Sequence, residues 1–160
     1  MTLFGAPVNP VSAELSDYNN AVNASRFVKG FGIAALANSI LAFLGINLLS
    51  AGLGLGTGLF IFRYDTGMFY RVLGAVVMAL ALVAPLPFLS PGVLAASVLF
   101  KGVQVLRVLN RSPREDPDWS ETRSRTMLGL VASGASLLLC AILAVLSVIA
   151  LIFIIARGAR

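Results

Sequence analysis

Residues 126–156 read TMLGLVASGASLLLCAILAVLSVIALIFIIA, and none of these 31 residues carries a formal charge. Two further uncharged stretches precede this one in the chain, at 30–62 and at 72–100. A helix needs about 20 apolar residues to cross the hydrocarbon core of a bilayer, so each stretch is long enough to do so. The sequence therefore predicts an all-α integral membrane protein, with a single membrane domain over residues 30–160.

The composition agrees with a membrane protein and argues against several functions. Of the residues, 58% are hydrophobic and 12% are charged, against roughly 25% charged in a soluble domain. Histidine is absent and Cys140 is the one cysteine, so we expect no metal site, no cofactor and no catalysis by a histidine base. The chain has a net charge of +5. In a membrane protein, such an excess of basic residues usually lies in cytoplasmic loops and does not indicate binding to nucleic acid. We therefore expect no nucleic-acid partner.

Residues 1–29 are predicted to form an N-terminal amphipathic or juxtamembrane segment. Pro10 suits the first turn of a helix, where its missing N–H has no helical acceptor. The spacing of the apolar residues that follow is that of one helix face, which predicts an amphipathic helix lying on the membrane or docked on a partner. Those apolar residues are Val11, Leu15, Tyr18 and Val22.

Glycine and proline divide the long uncharged stretches into shorter segments. A break is expected at Gly45-Ile46-Asn47 or at Ser50-Ala51-Gly52, and another at the proline-rich run 85–92, because proline lacks the N–H that a helix interior requires. The D-x-x-E pattern 118–121 predicts that the last helix begins near Trp119. The resulting fold has two helical hairpins and one long C-terminal transmembrane helix, over about 27–45, 49–62, 68–86, 91–110 and 119–156.

The positions of Lys and Arg predict an orientation. If both hairpins turn on the far side, residues 1–29, 63–71 and 101–125 share one side and carry ten of the twelve basic residues. The positive-inside rule then places the N-terminus and the charged linker 110–125 in the cytoplasm, with the C-terminus outside. We expect the bacterial inner membrane, and the short second segment either spans it or re-enters.

Four alternate glycines form the most unusual local pattern of the chain, and they contain two small-x-x-x-small pairs. Such pairs let helix backbones approach closely in lipid, which predicts a helix-packing face. The alternatives are a simple flexible turn and a re-entrant loop whose carbonyl groups coordinate an ion. The four residues are Gly52, Gly54, Gly56 and Gly58.

A basic face is predicted at the end of the fourth segment, where Lys101, Arg107 and Arg111 recur at helical spacing with Gln104. These cations suit anionic lipid headgroups, at about 1 kcal/mol each near the surface, or an acidic partner surface. The simpler interpretation is ordinary snorkelling at a helix end. Lys101 is expected near the interface, since a lysine at mid-bilayer costs about 2.5–3.5 kcal/mol.

Aromatic residues near the charged loops offer two further candidate contacts. Tyr64, Phe69 and Tyr70 flank a short loop and are expected to form an interfacial belt. Trp119 follows an acidic run and either anchors the interface or enters a pocket of a partner, where Trp is enriched among the residues that dominate binding.

These features together predict a non-catalytic accessory or assembly subunit of a larger inner-membrane complex, such as a transporter, secretion or respiratory assembly. The expected partners are other integral membrane subunits and anionic lipid headgroups. Two alternatives stay open, a homo-oligomeric channel or holin-like pore and a hairpin membrane-shaping protein.

Overall fold

Helices make up nearly all of the chain that can be described. The computed structural model describes residues 10–64, 67–83, 88–111 and 118–158, and within these ranges it contains no strand. The helices are α1 (Pro10–Phe43), α2 (Asn47–Tyr64), α3 (Met68–Ala81), α4 (Leu89–Leu109) and α5 (Trp119–Gly158). Three segments are long and apolar enough to cross a membrane, namely Leu15–Phe43, Leu89–Leu109 and Trp119–Gly158. The predicted all-α class is confirmed.

The turn between α1 and α2 lies at the first of the two predicted breaks. Gly45 has a φ of 75°, a left-handed conformation that favours glycine because it has no Cβ. The N–H of Gly45 donates to the Ala42 carbonyl and that of Ile46 to the Leu41 carbonyl, which is the Schellman arrangement at a helix end. Ser50 and Gly52 continue inside α2.

The predicted N-terminal surface helix is not a separate element. Helix α1 continues from Pro10 through residue 29 to Phe43 without interruption. Around Ala21 it packs on Val105 and Leu109 of α4, with Tyr18 and Trp119 partly buried against them. The apolar stripe that sequence reasoning assigned to a membrane surface or a partner is therefore covered in part by α4 and by the start of α5.

The helix directions follow from which residues meet. Ser50 of α2 contacts Asn38 of α1 while Tyr64 contacts Asn23, so α1 and α2 run antiparallel. Helix α3 is likewise antiparallel to α2 and to α4. Helix α5 runs parallel to α1, because Gly129 meets Val28 and Ser136 meets Ser39.

One face of α5 consists of small residues that lie inside the bundle. A Cβ added at Gly129 would collide with the carbonyl group of Val28, and one added at Gly32 would lie 2.5 Å from the Gly129 carbonyl oxygen. Any larger side chain at these two positions would push α1 and α5 apart. The close approach of the two helices therefore depends on glycine at both positions. The buried residues of α5 are Thr122, Thr126, Gly129, Ala132, Ser133, Ser136 and Cys140.

The charged residues of the described ranges gather at one end of the bundle. They lie in the first half of α1, at the α2–α3 connection, at the end of α4 and in the first turns of α5. Arg157 is the one exception in those ranges, and it lies near the end of α5. From residue 145 to residue 158 every α5 side chain is exposed, so this segment extends beyond the bundle.

Replacing Gly129 with alanine tests the close approach of α1 and α5. We expect G129A to lower the free energy of unfolding by about 1–3 kcal/mol, because its Cβ overpacks the contact with Val28. The matched control is G134A on the same helix, where an added Cβ meets nothing within 4 Å. Thermal unfolding in detergent measures both, and equal stability of the two variants would contradict the packing.

Candidate lipid and partner contact sites

Lys101 lies where α4 passes the start of α3, and it is only partly exposed. Its ammonium nitrogen lies 4.5 Å from the centre of the Phe69 ring and 5.8 Å from that of Tyr70. The faces of these rings carry negative potential, and they attract the cation while its aliphatic stem is covered. Lys101 therefore has a position fixed by aromatic side chains at the charged end of the bundle.

Arg107 lies in the last turn of α4 and Arg111 lies two residues beyond its end, and both are exposed. The stripe of α4 that packs inside the bundle consists of Val98, Gly102, Val105 and Leu109, which leaves both guanidinium groups outside. The two arginines are thus available for contacts outside the chain, as a surface that binds anionic headgroups requires.

Trp119 contacts its own chain. Its indole Nε1 donates to the Leu109 carbonyl oxygen at 3.1 Å. Leu109 lies in the last turn of α4, where the carbonyl groups have no N–H partner within the helix. The guanidinium of Arg123 lies 5.1 Å from the centre of the indole ring. This arrangement ties the start of α5 to the end of α4.

The four alternate glycines divide into two pairs. A Cβ added at Gly54 would lie 2.9 Å from the Ala81 Cβ, and one at Gly58 would lie 2.5 Å from the Met78 Cγ. Both therefore face α3 closely, as a helix-packing face requires. Gly52 and Gly56 are exposed, with nothing within 4 Å of an added Cβ. All four lie inside the continuous helix α2, which favours packing over an ion-coordinating loop.

The three aromatic residues of the expected belt have different surroundings. Tyr64 and Tyr70 lie 5.6 Å and 5.0 Å from Phe27, which is fully buried. They extend an aromatic cluster between α1, α2 and α3, so much of their area faces protein. Phe69 packs edge-on against Tyr70 and carries the Lys101 ammonium on its face.

A groove that sequence reasoning did not identify opens at the charged end of the bundle. It has a volume of about 500 Å³ and lies mainly between α1 and α4. The polar side chains along it are Asp17, Asn20, Asn23, Tyr64, Tyr70, Lys101 and Gln104. Its floor is made by small apolar residues of both helices. The sequence does carry a signal, since Asp17, Asn20 and Ala24 share one face of α1, but only the pairing with α4 shows that this face borders a groove.

Hydroxyl groups form a buried network between α1 and α5. The Ser39 hydroxyl donates to the Ala35 carbonyl at 2.9 Å, so its lone pairs accept from the Ser136 hydroxyl at 2.6 Å. Cys140 Sγ lies 3.5 Å from the same oxygen. Both serines are fully buried. Separation of the helices would remove the Ser39 oxygen as acceptor for the Ser136 hydroxyl, while Ser39 would keep its bond to Ala35 within α1.

A polar contact also joins α1 to α2. The Ser50 hydroxyl donates to Asn38 Oδ1 at 2.5 Å, and both side chains are 2% exposed. Beside them a second cleft of about 310 Å³ lies at the end opposite the charges, with mostly apolar walls. Within the described ranges, no group of three or more His, Cys, Asp or Glu residues is placed to hold a metal ion.

No family model matches this chain, and no curated protein or solved structure shows significant similarity to it. What can be stated of its class therefore comes from the helices, which include three long and apolar enough to cross a membrane.

The Ser39–Ser136 contact is tested by a double-mutant cycle. We expect S39A and S136A to be coupled by about 0.6 kcal/mol, the usual size of a hydrogen bond between membrane helices. Ser147 is the matched control, since its exposed hydroxyl bonds only to the Leu143 carbonyl within α5. Unfolding in detergent reports each variant, and additive effects of S39A and S136A would contradict the bond.

Proposed function

We propose that this chain is a non-catalytic accessory or assembly subunit of a larger complex in the bacterial inner membrane. The proposed partners are other integral membrane subunits, with anionic lipid headgroups at Arg107 and Arg111. The observation that carries the proposal is the exposure of α5 over residues 145–158, where large apolar side chains face outward on every side.

The length of α5 argues for a protein partner around this segment. Its uncharged part, 126–156, is about 46 Å long at 1.5 Å per residue, whereas the hydrocarbon core is about 30 Å thick. A tilt of about 50° would be needed to fit this length inside the core, which lies outside the usual range of 0–40°. Apolar turns are therefore left beyond the core, and burying them costs less against a partner than exposing them to water.

The charges support one orientation of the subunit. Helices α1–α4 enter as two hairpins from the side that holds the charged end, and α5 crosses to the other side. The basic residues of the charged end then face the cytoplasm, as the positive-inside rule requires. Arg157 lies on the far side in this orientation.

A second candidate function is supported by the short reach of the other helices. The uncharged part of α3 ends at Ala81, and from Val72 to that residue it is about 15 Å long. The uncharged part of α4, from Leu89 to Phe100, is about 18 Å long. These uncharged parts reach only partway across a core of about 30 Å, although α4 as a whole is long enough to cross a membrane. Such a bundle would thin or bend the bilayer, as a membrane-shaping protein does. A pore gains no such support, because α2 is a regular helix packed on α3.

The subunit proposal is tested by purifying the tagged chain, expressed at its native level, in mild detergent and measuring the intact complex by mass spectrometry. We expect a stoichiometric set of other membrane proteins. Recovery of the chain alone, as a monomer or a ring, would contradict the proposal, and tubulation of liposomes by the chain alone would then favour membrane shaping.

Matched variants of the exposed segment locate the partner. One triple variant replaces Leu146, Ile149 and Phe153 with alanine, and the control replaces Val148, Leu151 and Ile155 on the opposite face. We expect one of the two variants to recover about tenfold less of the partners, or less still, and the other to recover them as the unchanged chain does. The reason is that a partner helix contacts one side of α5. Equal retention by both variants would indicate lipid alone around α5.

A further inference from the structure

The groove between α1 and α4 carries one charge of each sign. Asp17 is an exposed residue of α1, and Lys101 is a partly buried residue of α4. Neither forms an ion pair with another of the described residues. The ion pair found among those residues joins Arg125 to Glu121. A groove that presents an acceptor carboxylate and a donor ammonium, without joining them, is suited to a ligand that carries both charges.

The two charges lie toward opposite ends of the groove. Ala21 and Val105 pack together on its floor, and α1 and α4 run antiparallel. Asp17 precedes Ala21 by one helical turn, while Lys101 precedes Val105 by one turn in the opposite direction. With a rise of 1.5 Å per residue, the backbone positions are separated along the groove by about 12 Å when measured from Ala21 and Val105, and by about 18 Å when measured from Val28 and Gly102.

The order of the charges relative to the membrane is also defined. Lys101 follows the uncharged part of α4 directly, so it is the charge nearest the hydrocarbon in the orientation proposed above. Asp17 lies farther out, toward the cytoplasmic water. A ligand in this groove is therefore expected to place its anionic group close to the hydrocarbon and its cationic group outside.

We propose that this groove binds the phosphoethanolamine headgroup of a membrane phospholipid. The phosphate accepts hydrogen bonds from the Lys101 ammonium, and the primary ammonium of the headgroup donates to the Asp17 carboxylate. A phosphate and an ammonium joined by two carbons, with a charge-assisted hydrogen bond of about 2.8 Å at each end, cover a distance of the required order. Asn20, Asn23 and Gln104 offer amide groups along the walls, where they can bond the remaining phosphate and ester oxygens.

Exposed apolar side chains next to Lys101 provide a path for the acyl chains. Phe69, which lies under the ammonium, is 37% exposed, and Phe100 is 60% exposed. Phe100 belongs to the uncharged part of α4, on the hydrocarbon side of Lys101, where a lipid that binds by its headgroup would lay its chains. This favours the phospholipid over free phosphoethanolamine as the ligand. The proposal rests on membrane insertion as proposed above.

The binding test uses the purified full chain in detergent with palmitoyl-oleoyl lipids bearing ethanolamine, choline or glycerol headgroups, measured by native mass spectrometry. We expect the ethanolamine lipid to bind about threefold to fivefold more tightly than the other two, the usual worth of a partly exposed ion pair. The quaternary ammonium of choline has no N–H to donate, and the glycerol headgroup has no cation. Soluble phosphoethanolamine is expected to compete only weakly, and tight binding of it would overturn the lipid assignment.

Two variants separate the roles of the charges. K101Q is expected to lower the affinity for all three lipids by about tenfold, because each lipid carries the phosphate. K101R is expected to restore the affinity. D17N is expected to abolish the preference for ethanolamine without changing the affinity for the glycerol lipid. The controls are K29Q and E121Q, which change exposed charges that do not line the groove.

Each result bears on the proposal. A preference for ethanolamine that D17N leaves intact, or affinities that K101Q leaves unchanged, would overturn it. Flotation of the chain with liposomes is measured first, because a chain that fails to float contradicts the proposed membrane function rather than the headgroup site.

Discussion

The close approach of α1 and α5 is the constraint on which the rest of the structure depends. These helices are far apart in sequence and run parallel, so no short loop holds them together. Their contact relies on the absence of side chains at Gly32 and Gly129 and on the small residues that continue along α5. In a lipid environment, apolar side chains gain little by moving from lipid to protein, and the stability of such a contact comes from tight packing and hydrogen bonds. The Ser39–Ser136 bond lies on this same face.

The position of α1 against α5 determines what the remaining helices can do. Helix α4 fits beside both, with Gly102 against Leu130 and Val28, and helices α2 and α3 pack as a pair held by Gly58 and Gly74. This arrangement brings the charged segments of every helix to one end. It also leaves α5 from residue 145 onward without neighbours in the chain, because the other four helices do not extend along this part of α5. The exposed segment and the charged end are therefore two consequences of the same packing.

Much of the helix layout could be predicted from the sequence because strong local signals marked it. Gly45 and the D-x-x-E pattern 118–121 fixed two boundaries within one or two residues, and long uncharged runs marked the helices themselves. The depth of Lys101 in the membrane stays a prediction, based on the cost of burying its charge. The bacterial inner membrane, the partner complex and the roles of Arg107 and Arg111 stay predictions.

The long-range features could not be predicted because they depend on which helix faces meet. The stripe of small residues on α5 is visible in the sequence, yet nothing local shows that α1 covers it. Tryptophan is a residue type enriched at protein interfaces. Only the proximity of Trp119 to the carboxyl end of α4 shows that its indole N–H donates a hydrogen bond within the chain. The groove likewise requires Asp17 and Lys101 to be brought together from helices far apart in sequence.

The most direct test of the central claim is the sidedness of the two ends of α5 in the membrane. Single cysteines at Ser120 and Gly158, in a C140S background, are labelled in whole cells with a membrane-impermeant maleimide. We expect the cysteine at 158 to be labelled in intact cells and the cysteine at 120 only after the membrane is permeabilised. Labelling of both positions from the same side would contradict a single crossing by α5 and, with it, the orientation on which the proposed function depends.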